Sequence, residues 1–274
     1  MEKYREVERS IIKKFRKEIW AKFVKAIKEY ELIKENDKIA VCISGGKDSM
    51  LLAKCMQELK RHGQISFDLE FITMDPGYHP NDLKLIKKNA ETLNIPIKIF
   101  KTDVFEIVSK YGSDEPCYLC ARMRRGYLYS KAQELRCNKI ALAHHFDDVI
   151  ETILLNMLYN GHFQTMMPKL KSTNFKGMEL IRPLYFIDEK DVKRWVKYNE
   201  LEFINCGCMA TICLTASKRA EMKNLIKEFE KLSPLIRKNI FTATTNINLD
   251  AVIAYKKGNK KYCFLDNYNN ESKC

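Results

Sequence analysis

The chain has no apolar run long enough to cross a bilayer, no internal repeat and no low-complexity stretch, which excludes a helical membrane protein and a repeat architecture. Its opening residues, MEKYREVERSIIKKFRKEIW, are amphipathic and charged rather than signal-like, so a cytoplasmic enzyme with no membrane partner is expected. It also lacks the usual nucleotide-binding spellings. The Walker pattern needs glycine where Val41 stands and serine or threonine where Asp48 follows Lys47, and no G-x-G-x-x-G occurs. Paired metal knuckles are missing too, because the one tight C-x-x-C is Cys117 and Cys120. Ten cysteines without a secretion signal argue against a disulfide framework and for free thiols plus a metal or sulfur-handling site.

What is present bounds the class. With 274 residues and 46% hydrophobic content the chain can bury one good-sized core plus appendages. The net charge of +13 is uneven: residues 1–30 hold 10 basic and 5 acidic side chains, residues 216–274 hold 12 and 6, and the middle is close to neutral. This predicts three parts: an N-terminal basic helix (1–30), a catalytic domain (31–215) and a basic helical extension (216–274), with the two flanks contacting a polyanion.

The sharpest local feature is ISGGKDSM, residues 43–50. A short apolar run, KIAVC, precedes it, and helical spacing follows it, so Ser44–Ser49 is a strand-to-helix turn whose N–H groups form an anion site. Gly45 and Gly46 allow close approach to phosphate, Ser44 and Ser49 offer hydroxyls, Lys47 supplies a point charge, and Asp48 can help hold Mg²⁺. A capped Gly-Gly turn without function would explain neither the lysine nor both serines.

Periodicity predicts a helix over 4–30 and then alternating elements: strands at 38–43, 68–74, 95–100, 139–143 and 180–184, and helices near 48–61, 80–93, 120–136, 145–160 and 188–199. Such alternation implies an α/β fold with a parallel sheet covered by helices on both faces, followed by helices at 216–232 and 234–243 and a weakly structured basic tail. Ligands gather outside the carboxyl ends of such strands, an edge that would hold Ser44, Met74 and Ala143–His144.

Two further clusters carry chemistry. EPCYLCARMRRGYLY holds Cys117 and Cys120 and runs into a helix with Arg122, Arg124 and Arg125. A redox pair, a zinc site and an iron–sulfur site compete for the cysteines, and Cys206, Cys208 and Cys213 in INCGCMATIC offer a third thiolate for a [4Fe–4S] cluster with one open iron. The arginines can hold RNA phosphates or pyrophosphate, or form a solvated face. In ALAHHFDDVIETILLNMLYNG the acids Asp147 and Asp148 open a helix, where capping alone would explain them; with the loop on the same edge, one of them is expected near Mg²⁺–pyrophosphate or the substrate base.

SGGKDS resembles the PP-loop of the ATP pyrophosphatase superfamily. The ordered set SGGKDS, PCYLCARMRRG, HHFDDVIETILLNMLY, MPKLK and LIRPL is similar to the tRNA 2-thiocytidine synthetases over about residues 10–215. The resemblance implies a PP-loop, adenine nucleotide alpha hydrolase-like fold and ATP- and Mg²⁺-dependent thiolation of cytidine 32 in a tRNA anticodon loop. It also implies a typically dimeric [4Fe–4S] enzyme fed by a sulfur donor such as a cysteine desulfurase persulfide or sulfide. Carried over, Ser44–Ser49 bind ATP, and Cys117 and Cys120 are two cluster ligands. From position along the sheet edge, backbone near Met74 is expected to read adenine, and Lys47, Asp48 and the acids Asp147 and Asp148 are the candidates for the chemistry. The chain departs from the family at CGCMATIC, where C-x-x-C is usual; Cys206, after an extended apolar stretch, is the expected third ligand and Cys208 its competitor. Thiolation of another base such as uridine 54, and cluster-dependent desulfidation, are the alternatives.

Overall fold

Val7, Ile11, Phe15, Ile19, Phe23 and Ile27 recur every four residues. At about 100° per residue, such a repeat drifts by roughly 40° per step around an α-helix. In the computed structural model, which describes residues 2–111, 116–204 and 214–268, the chain absorbs this drift by widening. Helices α1 (Lys3–Arg9) and α2 (Ala21–Glu29) are joined by π-helical windings at Ser10–Lys14 and Arg16–Trp20. The Phe15 N–H reaches back to the carbonyl of Ser10 at 2.9 Å, five residues away. All six apolar side chains therefore stay on one face, each no more than 4% exposed. The segment is a layer of the main core and not a free arm, although Arg5, Arg9, Lys13, Lys14, Arg16 and Lys17 line its solvent side.

The sheet and its covering helices follow as β1 (Asp37–Cys42), α3 (Lys47–His62), β2 (Phe67–Asp75), α4 (Pro80–Thr92), β3 (Ile97–Lys101), α5 (Val104–Tyr111) and α6 (Pro116–Glu134). Then come β4 (Lys139–Ala141), α7 (Phe146–Asn160), β5 (Lys169–Lys171), β6 (Glu179–Ile181) and α8 (Glu189–Tyr198). The strands form one sheet in the order β3-β2-β1-β4-β6-β5, parallel throughout except for the β5–β6 pair. Alternation along β1 explains the two covers. Ile39 and Val41 join the larger core with the N-terminal helices, α3, α4 and α8, whereas Ala40 and Cys42 join a second core under α6. From β1 the chain runs outward to β3 and then returns to β4 on the other side, which makes the β1/β4 boundary the switch point where α/β proteins bind ligands.

The expected α/β fold with helical additions at both ends is thus observed. The elements not expected include helix α5, the antiparallel edge strand β5, and a hairpin followed by a short helix in the C-terminal extension, where a weakly structured tail was predicted. That extension comprises α9 (Leu214–Leu232), α10 (Ile236–Ala243), β7 (Ala254–Lys257), β8 (Lys260–Cys263) and α11 (Leu265–Tyr268). Helix α9 buries Met222 and Ile226 against Ile150 and Leu154 of α7. Among the described residues no helix is long and apolar enough to cross a membrane.

Candidate active site

Strand β1 delivers the chain to a turn that only glycine permits. Gly45 sits at φ +85°, and a Cβ there would meet Ile86 Cγ1 at 2.5 Å and Ile204 Cδ1 at 2.9 Å. The Ser49 hydroxyl closes the turn from inside: it donates to the carbonyl of Gly46 at 2.9 Å and accepts from the Ser44 N–H at 3.2 Å. Helix α3 begins at Lys47, so its first-turn N–H groups, which have no intrahelical acceptor, face the same side as the turn.

A pocket of about 400 Å³ opens at the switch point. The turn contributes Ser44, Asp48 and Ser49; the end of β2 contributes Met74; α6 contributes Arg124 and Arg125; and the segment after β4 contributes His144 and Asp148. Asp48 Oδ1 is buried with no hydrogen-bond partner among the described residues, although His145 Nε2 stands 3.9 Å away. His145 is held by a reciprocal cap on α7: its N–H donates to Asp148 Oδ2 at 2.9 Å, and its Nδ1 accepts from the Asp148 N–H at 3.4 Å. The other ring nitrogen, Nε2, is the one that faces Asp48.

The sequence-predicted residues are distributed unevenly around this pocket. Lys47 does not line it; the ammonium is turned to Asp48 at 3.0 Å and to Glu189 at 3.2 Å. Burial works against that charge, but the two carboxylates outweigh it and raise its pKa. Glu189 is also paired with Lys193 at 3.0 Å and Lys223 at 2.6 Å, so three lysines share one carboxylate. Asp147 faces away from the pocket. It accepts from the Glu189 N–H at 2.7 Å and pairs with Arg237 of α10 at 3.0 Å, and although burial opposes it, Arg237 holds its carboxyl below the usual range. Arg122 is exposed on α6 outside the pocket. Cys120 is buried beside Met74 and Val104, one residue before the pocket-lining Ala121. Cys117 lies in the first turn of the same helix. Cys206, Cys208 and Cys213 lie outside the described residues.

Besides Lys193, Lys223 and Arg237, two cations nearer the pocket went unread in the sequence. Arg182, just after β6, is 8% exposed and pairs with no carboxylate among the described residues. It donates from Nε to His144 Nδ1 at 3.3 Å and from Nη1 to the Met167 carbonyl, and burial lowers its pKa to about 10. Burial likewise lowers His144 to about 4, which keeps the ring neutral at physiological pH. Arg219 of α9 stands 3.8 Å from Asp148. The arginine inside LIRPL, polar in an apolar strand end, was the one available signal; Arg219 had none, because only the tertiary packing of α9 on α7 brings it there.

The family described as the PP-loop domain matches residues 15–207. A tRNA-cytidine(32) 2-sulfurtransferase of Citrifermentans bemidjiense is 36% identical over 228 residues, 82% of this chain and 88% of that protein. The chain belongs to this sulfurtransferase family. A second family member, from Syntrophotalea carbinolica, is 37% identical and covers 81% of this chain and 86% of its own length. Among solved structures, the U34-tRNA thiolase NcsA from Methanococcus maripaludis with its [4Fe-4S] cluster superposes with a TM-score of 0.67, at 25% identity over 82% of this sulfurtransferase and 76% of that chain.

Proposed function

We propose that this chain is a cytoplasmic, ATP-dependent tRNA sulfurtransferase that replaces the C2 oxygen of a cytidine, at position 32 of the anticodon loop, with sulfur. The supporting observation is one pocket bordered by a phosphate-type turn, by the carboxylates Asp48 and Asp148, and by the helix that carries Cys117 and Cys120. Cytidine C2 is a poor electrophile because its oxygen leaves badly. Attack of that oxygen on the α-phosphorus of ATP forms an O–P bond and releases pyrophosphate; attack of a sulfur nucleophile at C2 then expels the oxygen as AMP.

In this reading Ser44–Ser49 hold the β- and γ-phosphates through N–H and hydroxyl groups, and backbone near Met74 reads adenine. Lys47 can turn to phosphate at little cost, since Glu189 keeps Lys193 and Lys223. The unpartnered Oδ1 of Asp48 and the carboxylate of Asp148 are hard oxygen donors that suit Mg²⁺. Arg124 and Arg125 take pyrophosphate or RNA phosphate at the rim, with Arg122 toward the RNA outside it. Asp147 supports the site by fixing the start of α8. The base of a single-stranded loop can be splayed into such a pocket.

A [4Fe–4S] cluster fits the cysteine set: thiolates three apart on a helix share a face, and the apolar surroundings of Cys120 limit solvent access. Cys117, Cys120 and Cys206 would hold it, and when bound it supplies a Lewis-acidic iron with a position open to sulfur. The reading carries with it a sulfur donor such as a cysteine desulfurase persulfide or sulfide, and a homodimer. Mass spectrometry of tRNA nucleosides from a deletion strain tests the assignment. Loss of 2-thiocytidine is expected, whereas loss of a thiouridine alone, or sulfide release from thiolated tRNA without ATP, overturns it. Iron content after anaerobic reconstitution should fall in Cys206→Ala and hold in Cys208→Ala; the reverse transfers the third ligand to Cys208.

A further inference from the structure

The C-terminal extension carries a hairpin, β7–β8, that the pocket does not use. Strands β7 and β8 pair around Gly258, which takes φ +62° at the first central position, as a type II′ hairpin turn requires. The register sets Lys256 opposite Lys261 and Lys257 opposite Lys260. Like charges placed directly opposite each other oppose strand pairing, and a lone two-stranded hairpin is marginal even without them. All four lysines are exposed, and no carboxylate pairs with any of them among the described residues. Of the two other cross-strand pairs, Ala254–Cys263 and Tyr255–Tyr262, the tyrosines are stacked with ring centroids 5.1 Å apart and an interplanar angle of 12°, with Lys260 Nζ 4.9 Å over the Tyr262 ring.

The sequence therefore concentrates repulsion where the fold can least carry it. A polyanion against the hairpin reverses the sign of that repulsion, since each phosphate sits between charges that otherwise oppose each other. Alternation sends one lysine pair to each face, and the tyrosines share a face with Lys257 and Lys260, so one side offers both charge and ring surface. That combination is what an RNA strand uses, by phosphate contact and by stacking. The segment lies beyond residue 207, where the family match ends.

We propose that the β7–β8 hairpin is a docking element for the sugar–phosphate backbone of tRNA, separate from the pocket that holds the reacting base. This rests on the tRNA reading above. Ile253 and Leu265 are also exposed beside the hairpin, which makes an anionic membrane surface the competing occupant.

The test compares the full-length protein with a quadruple variant, Lys256→Gln, Lys257→Gln, Lys260→Gln and Lys261→Gln. Anisotropy with an unmodified tRNA transcript, taken over about 50–200 mM salt, should show at least about tenfold weaker binding and a log–log salt slope smaller by roughly 2. The KM for tRNA should rise with kcat and ATP binding unchanged, and the melting temperature should hold or increase because repulsion has been removed. Weakened binding with a lower melting temperature would give the lysines a structural role and overturn the proposal. So would unchanged affinity and slope, or loss of binding to vesicles of phosphatidylserine and phosphatidylcholine with tRNA binding intact. If the unaltered protein binds no tRNA, the sulfurtransferase reading itself fails.

Discussion

Glu8→Ala should destabilise the protein by about 3–4 kcal/mol at pH 7.5, a large effect for a residue remote from the pocket. Lys54, on the helix that begins at the phosphate-type turn, is fully buried. Its ammonium donates to Glu8 Oε1 at 2.6 Å, to Gln57 Oε1 at 2.7 Å and to the carbonyl of Leu93 at 2.8 Å. Arg61 adds a second cation at 3.0 Å from Glu8. Removing the carboxylate leaves a buried ammonium with two neutral acceptors, and breaking such a pair typically costs about 3–5 kcal/mol. Deprotonation sets a ceiling: from an ordinary lysine value of about 10.4, at about 1.36 kcal/mol per unit, neutralising Lys54 at pH 7.5 costs ~4 kcal/mol. Burial already holds Lys54 below that ordinary value, with Glu8 opposing the shift. In the variant the folded protein binds fewer protons than the unfolded chain between the depressed and ordinary values, so stability rises with pH and the deficit narrows toward pH 10. Thermal unfolding should show a melting temperature lower by about 6–16 °C at pH 7.5. Glu8→Leu with Lys54→Met should recover most of it, because a buried pair replaced by apolar groups is often neutral. A loss below about 1 kcal/mol would place the pair among surface ion pairs and refute the reasoning.

Two further outcomes follow from the site. Glu151 is 8% exposed beneath Asp148, and burial, with Asp148 adding to it, raises its carboxyl to about 7. The folded state then binds more protons than the unfolded chain between pH 4.5 and 7. The penalty therefore grows as pH rises, and Glu151→Gln should add up to about 3 kcal/mol at pH 8 and nothing below pH 4, read by urea unfolding at both. Gly45→Ala must strain a backbone at φ +85° and displace both Ile86 and Ile204, so ATP binding measured by calorimetry should fall by at least about a hundredfold; affinity within a factor of three of the parent would show that the turn has another conformation.

The elements with strong period were legible. The apolar runs of β1 and β2 and the helix after SGGKDS lie within two residues of where the sequence puts them. Strand β5 is three residues, Lys-Leu-Lys, too short for alternation to register. The hairpin was missed because strands read as apolar alternation, and half of its strand positions are lysine. The N-terminal segment shows a different failure. A count of 10 basic residues suggested an arm, while the four-residue spacing from Val7 to Ile27 was the better guide to burial. Of the site, the turn and its switch-point partners followed from strand order. Glu189, Lys223 and Arg219 did not, because ion pairs between distant helices leave no trace in local spacing.

Asp147 and Asp148 are neighbours in sequence yet answer to different parts of the molecule. Consecutive residues on a helix diverge by about 100°, so the first turn of α7 presents one acid to the appended helices and the next to the pocket. Exchanging Arg237 should therefore be felt at the start of α8 rather than in the pocket, whereas a change at Arg219 of the same extension reaches the pocket through Asp148. The first turn of α7 is thus a joint between two parts of the fold: Asp147 ties the extension to the start of α8, and Asp148 ties it to the rim of the pocket.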